Sequence, residues 1–310
     1  MAQEIFRVLD QVQREIRRLK EDISLLRSDE SVRLSALLGA LRRRGLEPFR
    51  LNSPRHLLFP PGFSESGKDR FYEMFNRYSF RLFLREILNR KSAFRVSEVV
   101  RFSTPATGRK YLRELLGLGL ADSAGRAAFA LRRPAPSLGP TLEWFVAEVL
   151  RREFACPAVH GLRCRGSRYG GDYDVVALLE GLLVYVEVKS SPPKNIEGDE
   201  VGAFFSRLGD LLPHIALFLV DTELRLKDKI VPFFETALMA RGVRGPGGNG
   251  SPPDIEKIGD EIFFLPPRIY ILSSKRSIRR NIGLCFRKHF TLSLAREWGT
   301  GPGEACEFRS

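Results

Sequence analysis

Asp174, Glu187 and Lys189 stand at the edges of two otherwise apolar runs, DVVALL and LLVYVEV, which are joined at Gly181. Charge placed in a core is costly unless it is paired or bound to a metal. Alternation along a strand puts Glu187 and Lys189, two residues apart, on one face. Asp174 opens the preceding run, with room for a single hairpin between it and Glu187. Asp172 competes for the same role, and Asp174 is favoured because the apolar strand starts there. Two carboxylates on neighbouring strands would hold Mg²⁺ (or Mn²⁺) through oxygen, with the carbonyl of Val188 as a third ligand. Such an ion stabilises charge on a scissile phosphate and generates hydroxide near neutral pH. The ammonium of Lys189 would orient the attacking water and neutralise the transition state. The bland alternative is a salt bridge between Lys189 and one carboxylate, capping an ordinary hairpin.

The flanking pattern says what would position these groups. A helix opens at Gly139, with Thr141 as its expected cap and Trp144, Phe145, Val149 and Leu150 on its apolar face. Glu143 on that helix would reach the cation directly or through water. Glu148, five residues further along, points to a different side. A strand near Val159 to Cys164, the hairpin itself, a helix over Gly198 to Leu212, a strand ending before Asp221 and a helix over Lys227 to Arg241 follow. This α-β-β-β-α-β order resembles the PD-(D/E)XK, or restriction-endonuclease-like, nuclease superfamily, with a layout similar to archaeal Holliday-junction resolvases. The matching residues are YDVVA around Asp174, EVKS from Glu187 to Ser190, and Gly139 with Glu143, within Gly139 to Val220. Tyr173 stands where the family motif has proline. The resemblance implies a Mg²⁺-dependent phosphodiesterase in which Glu143, Asp174, Glu187 and Lys189 are catalytic.

Upstream, Ile5, Leu9, Val12, Ile16, Leu19, Ile23 and Leu26 alternate spacings of four and three, a heptad seam that predicts a coiled-coil homodimer. Between residues 67 and 136, a helix from Tyr78, a short one over Val96 to Phe102, a third from Thr104 and Pro105, and a hairpin turning at Ser123 to Gly125 follow in order. That order resembles a winged helix-turn-helix domain. The third helix would present Thr107, Arg109, Lys110 and Arg113 to the major groove, with Arg126 of the wing on phosphate. At the other end of the chain, Ser274 to Phe290 reads as a basic amphipathic helix with Arg279 and Arg280 along a phosphate backbone.

The organisation expected is α/β (α+β) and multidomain: a coiled-coil helix over 1–30, a helical segment and linker over 31–66, a winged helix-turn-helix over 67–136, a nuclease core with a mixed sheet over 137–296, and a disordered tail over 297–310. The formal net charge of +13 over 310 residues, with 39 Arg and 11 Lys, favours a polyanionic partner. No apolar run has the length of a spanning helix, no Walker loop is present, and the four cysteines and four histidines fit no ligand spacing. These features predict a cytoplasmic, nucleoid-associated endonuclease acting on duplex or branched DNA. The rivals are a DNA-binding regulator or scaffold whose nuclease fold is inactive, and an RNA nuclease.

Overall fold

The computed structural model of the chain describes residues 11, 12, 15, 16, 18, 31–90, 92–245, 251 and 254–297. Most of the predicted heptad seam and all but the first residue of the predicted tail lie outside the described residues. Val12 and Ile16, which belong to that seam, are exposed.

One mixed sheet of eight strands organises the molecule. β5 (Asp172–Leu179), β6 (Leu182–Lys189) and β7 (Ile215–Val220) are near-continuous apolar runs buried on both faces, which makes them its centre. β5 and β6 are antiparallel, as their tight connection at Gly181 requires, whereas β6 and β7 are parallel and need a crossover. That crossover is α6 (Gly198–Leu211). On one side β4 (Ala158–Arg165) and β1 (Glu47–Arg50) complete the sheet. On the other, β10 (Ile269–Ser273) pairs parallel with β7 and is followed outward by β9 (Ile262–Leu265) and β8 (Glu256–Gly259). The segment before residue 66 therefore contributes an edge strand, and the C-terminal segment extends the same sheet.

Helices cover both faces. The helix over residues 31–42 (α1), α6 and α7 (Ile230–Ala240) place Leu37, Leu41, Phe204 and Phe234 against Val176, Tyr185 and Phe218. On the opposite face α5 (Gly139–Phe154) and α8 (Ile278–Glu297) pack Phe145, Val149 and Ile282 on Val175, Val186 and Leu217. Each such side chain, once fully buried, contributes roughly 2 kcal/mol. Thr141 does not cap α5: the helix begins at Gly139, and the wholly buried Thr141 hydroxyl accepts from the backbone N–H of Leu58 at 3.2 Å.

The basic unit packs beside α5. α2 (Glu65–Phe75) is capped by Ser64, α3 (Tyr78–Arg90) follows, and α4 (Pro105–Gly117) is capped by Thr104 with proline in its first turn. The short helix expected over Val96 to Phe102 is only one 3₁₀ turn, Val96–Glu98. Glu98 reaches back to the N–H of Arg95 at 2.8 Å, and Val99 leaves helical geometry directly after it. β2 (Ala121–Ser123) and β3 (Phe129–Leu131) form the expected hairpin, and Phe94 bridges to Phe129 of β3. A buried ion pair ties this unit to the sheet: Arg81 of α3 meets Asp221, the residue after β7, through Nε at 2.9 and 3.0 Å. Arg85 joins them, pairing with the Asp221 carboxylate and donating to its carbonyl at 3.0 Å.

Candidate active site

The carboxylates converge where β4 and β5 lose their regular pleat, beside the regular β6. Val159 and Leu162 of β4 lie in the same apolar layer, as do Tyr173 and Val176 of β5, although strict alternation would separate each pair. Gly161, at φ +53°, lies opposite Asp174 in the ladder and absorbs the irregularity. A Cβ there would stand 3.7 Å from Oε2 of Glu143, so the glycine leaves the surface on which the α5 carboxylate lies.

Asp174 is half-buried and takes the backbone N–H of Val188 on Oδ2 at 2.7 Å. Val188 thus serves the site through its N–H, which orients Asp174 towards β6. Glu187 is buried, with 2% exposure, and its carboxylate has three partners. The Tyr185 hydroxyl donates to it, Arg207 of α6 reaches both oxygens at 3.1 and 3.0 Å, and Lys189 lies 3.0 Å from Oε1. The same Lys189 ammonium meets Glu200 of α6 at 2.7 Å. Glu143 has neither a hydrogen bond nor an ion pair to another described residue.

The electrostatics follow from that distribution. Burial, then the charges of Glu187 and Asp172, push the Glu143 carboxyl up to about 7. Burial followed by the charges of Glu187 and Glu143 raises Asp174 well above the usual carboxylate range, against the opposing pull of the Val188 N–H and Lys189. Burial alone would lower Lys189, but Glu187 and Glu200 outweigh it and hold the ammonium charged. The pocket is short of positive charge around Glu143 and Asp174. That is the donor chemistry a hard divalent cation suits: oxygen ligands whose charge the protein leaves uncompensated. Among the described residues, no group of three or more His, Cys, Asp or Glu side chains is arranged to hold a metal ion. Glu187 is instead engaged by its two cations and its tyrosine.

The other predicted residues are placed as follows. Asp172 makes an exposed ion pair with Arg163 at 2.6 Å, away from the Val188 amide that Asp174 takes. Glu148 pairs with Arg151 and Arg152. Arg109, Lys110 and Arg113 of α4 are exposed, Thr107 is half-buried with its N–H on the Thr104 cap, and Arg126 is exposed between β2 and β3. Arg280 is exposed, but Arg279 meets Glu153 at 3.0 Å. Arg207, Glu200 and Tyr185 were absent from the expected site. A signal for the first two exists: they are seven residues apart on α6, hence on one stripe with the buried Phe204 between them.

A cleft of about 1100 Å³ adjoins these residues. Ser190 and Ser191, which follow Lys189, form part of its wall, as do α3 and the segment before α4. It lies at the carboxyl ends of parallel β6 and β7, where open α/β sheets commonly bind ligands.

No protein-family model matches the chain, and no curated protein does. Among solved structures, protein VC1899 from Vibrio cholerae is 18% identical with a TM-score of 0.43, covering 67% of this chain and 56% of its own. Can2 from Sulfobacillus thermosulfidooxidans, solved in complex with cyclic tetra-adenylate, is 14% identical with a TM-score of 0.36, covering 59% of this chain and 50% of its own. The chain thus spans little more than half the length of either structure. Similarity at this level assigns no activity to the present chain. Among the described residues no helix is long and apolar enough to cross a membrane.

Proposed function

We propose that the protein is a metal-dependent endonuclease that hydrolyses phosphodiester bonds in DNA. The observation that carries this reading is the convergence of Glu143, Asp174 and Glu187 from three elements beside Lys189, with two of the carboxylates lacking a compensating charge. Asp174, Glu187 and Glu143 are the residues that would hold Mg²⁺, which supplies a counter-charge for the scissile phosphate and lowers the pKa of attacking water. The chain's own part is orientation. The Val188 N–H fixes Asp174, and Arg207 with Tyr185 fixes Glu187. Lys189, exchanging Glu200 for a phosphate oxygen or water, places positive charge where negative charge develops. The net charge of +13 and the exposed Arg109, Lys110 and Arg113 of α4 support a polyanionic substrate gripped outside the site. The heptad seam supports a homodimer.

A second reading has one observation in its favour. Glu187 is already satisfied by Tyr185, Arg207 and Lys189, as expected of a nuclease fold kept as a DNA-binding scaffold. Labelled duplex, single-stranded, forked and four-way-junction DNA incubated with Mg²⁺ or Mn²⁺ decides between them. Cutting that disappears with EDTA and with Lys189→Ala supports the enzyme; binding of these DNAs with no product from any of them establishes the scaffold.

A further inference from the structure

The cleft beside the candidate active site has a composition that a duplex would not use. Phe102 stands in its wall with 55% of its surface exposed, and the Arg101 guanidinium lies 5.3 Å from the centre of its ring. Tyr78 is a second aromatic of the same wall. Leaving just over half of Phe102 in water forgoes part of the roughly 2 kcal/mol that full burial would contribute. A flat aromatic beside an arginine is instead a platform for an unpaired base, because every base offers a π face to it.

The rest of the wall carries the cationic Lys194 and Arg85 beside the carboxylates of Glu86 and Glu223. Lys194 is exposed; its carbonyl accepts from the Lys229 ammonium at 2.8 Å, and its own ammonium makes no hydrogen bond or ion pair among the described residues. Arg85 forms part of the wall, and its buried Nε lacks a hydrogen-bond acceptor even though its other nitrogen is bound to Asp221. Asp221 is met by both Arg81 and Arg85, which leaves one positive charge over at the junction. Ser190 joins the cleft directly to Lys189. A cleft of about 1100 Å³ is at the upper end of ligand-sized pockets, room for a few nucleotides.

We infer that this cleft binds a single-stranded segment of nucleic acid, with a base stacked on Phe102 and the backbone led past Arg85 and Ser190 towards Lys189. The inference rests on the nuclease reading only for what happens at Lys189; binding in the cleft stands without it. The substrate class it assigns is a nucleic acid with an unpaired strand, such as a fork or flap.

The test is fluorescence anisotropy on the full chain in EDTA, with labelled ten-nucleotide oligothymidylate, oligouridylate and a hairpin duplex. Phe102→Ala is expected to weaken single-strand binding about tenfold and leave duplex binding unchanged, in line with about 1–3 kcal/mol per stacked base. Phe102 is exposed, so the variant keeps its fold, checked by its melting temperature; Lys194→Ala, also exposed, is expected to weaken single strands about threefold. The oligothymidylate and oligouridylate arms distinguish DNA from RNA as the source of the strand. Equal losses for single strand and duplex, or none, would overturn the cleft assignment. Selective single-strand loss with no cleavage of any substrate in Mg²⁺ supports the cleft while removing the nuclease reading. Duplex cleavage untouched by Phe102→Ala, with single-strand affinity also untouched, overturns the cleft and spares the nuclease.

Discussion

Asp221 and Asp174 are both acids held within the sheet, yet the protein treats them in opposite ways. Asp221, just past β7, is wholly buried and bracketed by two arginines of α3, with Ser274 donating as well. Although burial alone would raise it, the guanidinium charges hold its carboxyl below the ordinary value. Asp174 has a single backbone donor and faces two further carboxylates, so it is raised. The first arrangement joins two parts of the chain and leaves its carboxylate fully paired. The second stores unfavourable charge, and on that property the proposed function rests. A hydrogen bond from the Asp221 N–H to the Lys189 carbonyl at 2.8 Å makes the two regions neighbours, so the contrast is not one of location in the fold.

The largest effect that separates them is on stability. Arg81→Ala removes one of the two guanidinium partners of the buried Asp221, leaving Arg85 alone to pair it, and is expected to lower unfolding free energy by about 3 kcal/mol in urea titrations. Asp174→Asn removes a charge that its neighbours repel and should leave stability within about 1 kcal/mol of the parent, or slightly raise it. A large loss from Asp174→Asn would break the comparison. On activity the order reverses: Asp174→Asn and Lys189→Ala should each reduce Mg²⁺-dependent cleavage at least about 100-fold, measured on forked DNA.

The pH response sharpens the contrast further. Glu143 is raised from 4.5 to about 7 in the folded protein, so its contribution is fully favourable below its unfolded value and is lost as pH climbs through about 7. Stability should therefore fall by roughly 2 kcal/mol between pH 4.5 and 7 from this group, and Glu143→Gln should flatten that fall in pH-resolved denaturation. Asp221 acts with the opposite sign: its lowered carboxyl stabilises above the unfolded value and loses that contribution as pH drops through its folded value. The smallest expected change comes from Arg207→Ala. Removing the group that fixes Glu187 should weaken Mg²⁺ binding about threefold by calorimetry; tighter binding would mean that Arg207 acts as a competing cation instead.

Much of the site was legible because strand alternation is short-range. Glu187 and Lys189 share a face through a period of two, and the apolar runs around them identify central strands. The thirteen-residue α4 with its Thr104 cap and Pro105 was equally local. Arg207 was harder, because its partner lies 20 residues back on the preceding strand and only the seven-residue spacing to Glu200 hints at a shared stripe. The Arg81–Asp221 pair was not legible at all: 140 residues separate its members, and nothing in either local pattern names the other.

By itself the sequence determined the strands and helices around the sheet's centre, which strands are central, and which acids sit among apolar neighbours. Those properties follow from periodicity and from the cost of burying charge, both of which act over a few residues. Only the tertiary structure decided that β10 inserts between β7 and β9, that residues 47–50 close the sheet's far edge, and that Glu143 rather than Glu148 lies over Gly161. It also decided which buried acid is neutralised and which is not. That outcome depends on where long-range folding brings arginine to carboxylate, and no local spacing encodes the distance between them.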